Sequence, residues 1–218
     1  MFVVRLSLIS LMVCAPSLAI GQTAPQTRPT VAVPGADVFA GAVVTTAPDG
    51  TIRRARHAAV QLPGADAKAR AESFVARYGH RLGLDGAVVE SVRPRGARTL
   101  VRLRPTHGGV PVLDGGVVLT LRGAQLIALN NEAPRIEHLE SKKIDAVRAR
   151  EIAAEALAAQ GIPGAAPKIA KLGIVTLGPV ATPVYEVDWA GLSLDQHWVL
   201  RIDAHRGRLV GVDQRGKH

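Results

Sequence analysis

The sequence predicts an α+β fold of two small units, each with one helix packed on an antiparallel β-sheet. Two observations carry this. The apolar residues switch to a three-and-four spacing twice, once after Asp66 and once after Asp145. Each of those stretches is followed by short alternating or apolar runs separated by glycine-containing turns. A helix followed by a meander, repeated once, is an α+β pattern.

The elements follow in chain order. Residues 1–21 read as a signal peptide: Arg5 gives a positive start, Leu6 to Val13 an apolar stretch, and Pro16, Ser17 and Ala19 a small-residue cleavage region near Ala19 or Gly21. The stretch falls short of the roughly 20 apolar residues that span a bilayer, so no stable membrane span is expected. A lipoprotein reading would acylate Cys14 instead. Cys14 is the only cysteine, so cleavage leaves no thiol for a disulfide, a nucleophile or a thiolate metal site. The product is expected to be secreted or periplasmic.

Residues 22–37 are a Pro/Thr/Ala-rich linker. Residues 38–65 form a β-hairpin segment turning at Pro48-Asp49-Gly50. Asp66 then caps a helix whose apolar face is Ala67, Ala71, Phe74, Val75, Tyr78 and Leu82, and Gly83 stops it. Strands are expected at Val88 to Arg93, Thr99 to Thr106, Gly116 to Leu121 and Gln125 to Asn130. In the second of these, Val101 and Leu103 share one face, and Arg102 and Arg104 the other. Ala133 to Lys142 reads as a polar connector. Asp145 caps a second helix that ends at Gly161-Ile162-Pro163. Four more strands follow, "LGIVTL", "PVYEVDW", "HWVLRID" and "RLVGVD", the last two joined by Ala204-His205-Arg206-Gly207. The two units divide near residue 140, into 66–140 and 141–218.

Charge and composition narrow the function. The chain carries 27 Lys+Arg against 18 Asp+Glu, a formal charge of +9, and arginine outnumbers lysine 21 to 6. Such a balance fits nucleic acid, an anionic envelope surface or an acidic protein partner. Aromatic residues make up only 3%, which leaves few stacking platforms for single strands, and with an export signal no nucleic-acid partner is expected.

One segment stands out. "THGGVPVLDGG", Thr106 to Gly116, places Gly108, Gly109, Pro111, Gly115 and Gly116 between two strands. A phosphate-binding loop needs its glycines at a strand-to-helix junction, usually followed by lysine and a hydroxyl residue. Here Gly116 leads into another strand and no lysine is near. The segment reads as a structural turn that reverses the chain at both ends of Val110-Pro111-Val112. Pro111 cannot donate to a ladder and so belongs at a sheet edge. Either Gly109 or Gly116 is expected in a backbone region closed to side chains bearing a Cβ.

No catalytic constellation emerges. His57, His80, His107, His138, His197, His205 and His218 include no H-E-x-x-H and no pair at i, i+4. Ser73, Ser91, Ser141 and Ser193 lack the G-x-S-x-G setting. Glu186 and Asp188 share a strand face, where ion pairing with arginine is the simpler role. Trp189 and Trp198 read as packing residues, and His197 and His205 as surface residues. Catalytic residues, metal ligands and cofactors are all expected to be none.

The residues also carry a resemblance. "RLGL" (Arg81 to Leu84), followed by "VRLRPTHGGVPVLDGGVVLTLRGAQLIALNN" (Val101 to Asn131), resembles the fungalysin/thermolysin propeptide (FTP) domain. "HWVLRIDAHRGRLVGV" (His197 to Val212) resembles the close of a PepSY domain. The likeness spans about residues 66 to 214, in the order found in prosegments of thermolysin-like metalloproteases. Leu113 stands where that family often has an aromatic, and Arg104-Pro105-Thr106 where it usually has Gln–Thr. The resemblance implies a stand-alone, non-enzymatic prosegment-like protein that inhibits, or assists the folding of, a secreted thermolysin-like zinc metalloprotease. Two alternatives stay open: an envelope-associated PepSY binding module with no protease partner, and a remnant of a truncated precursor. Within the tail "DQRGKH", Arg215 and His218 are the candidate partner contacts.

Overall fold

The computed structural model describes residues 39–162, 167, 169–177, 180–190 and 197–214. They hold two helices and two mostly antiparallel sheets, so the chain is α+β with sheet predominating. The expected signal peptide and linker lie outside the described residues, as do Pro163, Arg215 and His218.

The first sheet is built from β1 (Val43–Thr46), β2 (Ile52–Gln61), β3 (Gly86–Arg95), β4 (Arg98–His107), β5 (Val110–Pro111), β6 (Val117–Arg122) and β7 (Gln125–Asn131). Its spatial order is β1-β2-β7-β6-β4-β3, with β5 paired to the end of β4, and every pairing is antiparallel. Helix α1 (Ala67–Tyr78) starts where the Asp66 carboxylate accepts from the Ala69 amide at 2.8 Å. That bond satisfies one of the amides a helix start leaves open. A 3₁₀ turn (Gly79–Leu82) continues α1, and Gly83 ends it in a left-handed conformation. Ala71 and Phe74 of α1 are fully buried with Ala55, Val101, Leu119 and Leu129 of the strands.

The hairpin segment 38–65 is therefore no separate part. β2 lies inside the sheet between β1 and β7, because Ala55, Ala58 and Val60 bring buried side chains to the same core as Phe74. A bulge between Arg56 and Val60 keeps them there, with His57 at φ 56°. Extra residues in one strand bend it and reset which side chains face inward.

The second sheet comprises β8 (His138–Leu139), β9 (Ile169–Leu177), β10 (Val180–Ala190), β11 (His197–Asp203) and β12 (Arg208–Gln214). β10 is its central strand. β9 covers one edge of β10, and β11 pairs with the other along Val184 to Ala190. Helix α2 (Ala146–Ala159) begins at Asp145, whose carboxylate accepts from the Arg148 amide at 2.8 Å. Ala149, Ile152, Ala153 and Leu157 form its buried stripe, in one cluster with Tyr185, Val187, Trp189, Leu200 and Ile202. Trp189 and Trp198 sit directly opposite each other across β10 and β11, ring centroids 4.9 Å apart.

The expected polar connector is more than a linker. His138–Leu139 form β8, which runs parallel to Val180–Ala181 of β10, on the stretch that β11 leaves free. This is the one departure from antiparallel pairing among the named strands of the described residues. Two residues carry no alternation to read, which is why the sequence did not disclose it.

Candidate functional site

The glycine-rich segment lies where the two sheets meet. It leaves β4 at His107, turns at Gly108-Gly109, and returns as β5, with Pro111 opposite Thr106 and Val110 opposite His107. Beyond β5 it crosses to the second sheet. Val112 forms a parallel bridge with Ile174 of β9, and the Leu113 amide donates to the Ile174 carbonyl at 2.8 Å. The Asp114 carboxylate then accepts from the Thr176 amide at 2.6 Å and from its hydroxyl at 3.3 Å. Val112, Ile174 and Ala181 make a small buried cluster of their own, joined by Val110, Ile136 and Leu139.

The glycines do different jobs. Gly108 and Gly109 have φ of 55° and 78°, and a Cβ on either would meet open space. Gly115 has φ of 69°, and its added Cβ would fall against the Glu132 backbone carbonyl. Gly116 is not in the left-handed region expected as one option for it. It is already aligned with β6, and its carbonyl accepts from the Glu132 amide at 2.8 Å. What restricts it is space: a Cβ there would come within 3.3 Å of the Leu103 carbonyl.

Beside this segment lies a cleft of about 470 Å³, lined by Asp49, Thr51, His80, Asp85, His107 and Arg135 among others. Pro105, Thr106 and Val112 carry the glycine-rich segment into its wall. Asp85 accepts from the Gly108 amide at 2.7 Å and holds the tip of the turn, with the His107 ring 3.9 Å from the same oxygen. Across the cleft, Asp49 accepts from the Thr51 amide at 2.9 Å and from Arg135 at 2.8 Å. The Thr51 amide first, and Arg135 after it, hold the Asp49 carboxyl at about 2, well below its ordinary value.

At the end of β7 sits Asn131, 2% exposed. Its side-chain amide donates to the Ile52 and Leu82 carbonyls at 2.8 and 2.9 Å, and its oxygen accepts from the Ala133 amide at 3.0 Å. One side chain thus ties β2, the 3₁₀ turn and the connector together, with its buried polar atoms satisfied. The connector is fastened again at its far end. Glu140 accepts from the Thr182 hydroxyl at 2.8 Å and pairs with Arg206 at 2.8 Å, and Arg206 also reaches the buried Asp203 at 3.2 Å. The Thr182 hydroxyl, with Arg206, holds the Glu140 carboxyl below its ordinary value. Burial alone would push Asp203 up, but the Arg206 amide and guanidinium and the His205 amide outweigh it, and its carboxyl too lies below its ordinary value.

The two carboxylates lining this cleft, like Asp114 and Asn131, hold backbone. Asp49, Asp85, Asp114 and Asn131 each accept from a main-chain amide. Among the described residues, no three His, Cys, Asp or Glu side chains converge as a metal would require. Ser73, on α1, is half-buried, with its hydroxyl enclosed and unpartnered. Glu186 pairs with Arg201 at 3.3 Å, and Asp188 lies 3.7 Å from His197, so this carboxylate pair sits among counter-charges. His205 engages the Ser141 carbonyl through Nδ1 at 2.7 Å.

Sequence reasoning singled out the glycines and Pro111 but missed Asn131, Asp114 and Gly173. The signal for Asp114 was its place between the two halves of the motif. For Gly173, a glycine inside the apolar run "LGIVTL" was the hint: the Leu113 side chain lies where its Cβ would be, at 2.7 Å.

No family model and no curated protein matches this sequence. Solved structures similar to it include two of note. One is the Bacillus megaterium YpeB C-terminal domain, at 12% identity over 81% of this chain and 83% of that one, with a TM-score of 0.41. The other is a Clostridium difficile 630 protein described as a lipoprotein, at 11% identity over 65% of this chain and 88% of that one, with a TM-score of 0.26. Likenesses this remote carry no argument about what the chain does. No helix of the described residues is long and apolar enough to cross a membrane.

Proposed function

We propose that this chain is an extracytoplasmic, non-catalytic binding module of PepSY type, preceded by an FTP-like half. In this reading α1 with the first sheet, and α2 with the second, are the two successive helix-on-sheet units. The observation that carries the reading is the use made of the Thr106–Gly116 segment. Its Val112, Leu113 and Asp114 are consumed in joining one sheet to the other, and the adjoining cleft spends its carboxylates on backbone amides. A site built this way holds surfaces in register, which supports a binding role. The extracytoplasmic location rests on the signal-like residues 1–21.

The finer reading is that the surfaces so held belong to a prosegment-like inhibitor or folding assistant of a thermolysin-like metalloprotease. The motif resemblance supports it. A preformed sheet surface lowers a folding barrier by templating the unfolded catalytic chain, and it then covers the cleft of the folded enzyme. The test uses thermolysin as the probe. Saturable inhibition of peptide hydrolysis, or a higher yield of active enzyme on refolding from denaturant, is the expected result. Neither effect, at concentrations well above the enzyme's, sinks the protease reading and leaves the binding module. Deleting Arg215 to His218 then separates tail from domain: weaker inhibition with an unchanged melting temperature places the contact in the tail.

A further inference from the structure

We propose that the outer face of the first sheet, the face turned away from α1, is a docking surface for an acidic protein partner. Strand register builds this face. Arg54 lies opposite Asn130, Asn130 opposite Val118, Val118 opposite Arg102, and Arg102 opposite Ser91. The next row runs Arg56, Ala128, Thr120, Leu100, Arg93. Side chains directly opposite one another in an antiparallel pair stand on the same side of the sheet. The alternate residues Ala55, Leu129, Leu119 and Val101 are buried with Phe74 of α1, so both rows face the other way. Each row has an arginine from β2 at one margin, arginine from β3 or β4 at the other, and small or apolar side chains between.

The charge on this face is largely uncompensated. Arg54, Arg56 and Arg93 are exposed and have no ion pair among the described residues. Arg102 and Arg104 share a single carboxylate, Glu90. The corresponding face of the second sheet is arranged differently. There Arg201 lies between Glu186 at 3.3 Å and Asp213 at 3.1 Å, and His197 lies beside Asp188. One sheet neutralises the charges on that face and the other leaves arginine forks unmatched.

The chemistry points to carboxylates on a folded partner. A guanidinium fork matches a carboxylate two bonds at a time. A weakly polar centre with a charged margin is the pattern of a protein interface, whose rim stays wet. The two rows hold no aromatic side chain on which a base would stack. Four strand spacings of about 4.8 Å separate β2 from β3, a face about 19 Å across, and the length of β6 gives it about 20 Å along the strands. The resulting patch, roughly 400 Å², is about half of the roughly 800 Å² each partner contributes to a standard interface, enough for the centre of a contact.

The test measures binding of poly-L-glutamate to the full chain by NMR titration, with double-stranded DNA and phosphatidylglycerol vesicles in parallel. The expected result is shifts centred on Leu100, Val118, Thr120 and Ala128, and at least tenfold weaker peptide binding by Arg54→Glu/Arg56→Glu. Arg148→Glu on α2 should bind as the wild type does. If the charge reversal fails to fold, Arg54→Gln/Arg56→Gln gives the same reading with a smaller change. Tighter binding of DNA or vesicles than of peptide, shifts centred on the second sheet, or an unaffected double variant would each overturn the proposal. The inference rests on the chain being a binding module. A double variant that still inhibits thermolysin as the wild type does would keep that reading and sink this one.

Discussion

The tip and the base of the Thr106–Gly116 segment are both glycine pairs, yet they answer to different physics. At the tip, Gly108 and Gly109 are needed for backbone angle alone, since open space surrounds both. At the base, Gly115 is needed for angle and for room, because the chain passes against the Glu132 backbone. The base is also where Asp114 and Leu113 fasten the second sheet to the first. The same residue type therefore marks a free reversal at one end and a close crossing of two backbones at the other. Only the crossing positions the two sheets.

The largest effect should follow from filling the base. Gly115→Val places a Cβ in a left-handed conformation, which costs about 1–2 kcal/mol. It also drives that atom into a main-chain carbonyl that cannot rotate away, and overpacking of this kind adds about 1–3 kcal/mol. Chemical denaturation should show a loss of about 3 kcal/mol. A loss below that of the corresponding tip variant would mean that base and tip are equivalent.

Next in size is the contact that the base aims across the joint. Gly173→Ala sets a methyl against the Leu113 side chain, which can turn aside, so about 1–2 kcal/mol is expected. The partner substitution Leu113→Ala should recover most of it. A coupling free energy near zero in the double-mutant cycle would show that Leu113 does not sit over Gly173 in solution.

These pairs also show what the sequence discloses and what it withholds. Both helices were legible, because Asp66 and Asp145 precede three-and-four apolar spacing and cap as their chemistry dictates. The strands were legible from alternation, Val101 and Leu103 inward against Arg102 and Arg104 outward. The joint was not, because Asp114 and Thr176 are 62 residues apart and no local pattern links them. β8 was too short to alternate. Asn131 lay just past the expected strand end at Asn130, and two of its three backbone partners come from other elements, 49 and 79 residues away. The arginine face was visible strand by strand, but only register turns Arg54 and Arg102 into one row.

The tip should respond more mildly. Gly109→Ala adds a Cβ that meets nothing, so the cost is that of the left-handed angle alone, about 1 kcal/mol. The melting temperature should fall by a few degrees, with thermolysin inhibition or peptide binding per folded molecule unchanged. A loss as large as that of Gly115→Val would show the tip to be packed, against the open space around it.

The smallest effect concerns the connector that leaves the base, which Arg135 fastens to Asp49. The Asp49 carboxyl has a folded pKa of about 2, lowered from 3.8 by the Thr51 amide and then by Arg135. A lowered carboxyl pKa contributes stability that is fully present above the unfolded value. It is lost as pH falls through the folded one. The contribution of Asp49 should therefore hold at neutral pH and fade between about pH 4 and pH 2. Both groups are partly open to water and the pair is screened by salt, so the fade should be shallow and should flatten further at high ionic strength. The acid limb for Arg135→Gln should be shallower than the wild type's and shifted toward the unfolded value, since the Thr51 amide remains as a donor. If the two limbs superimpose, Arg135 does not hold Asp49 in solution. The connector would then depend on Asn131 alone at this end, and Asn131→Ala should loosen the joint more than any tip variant does.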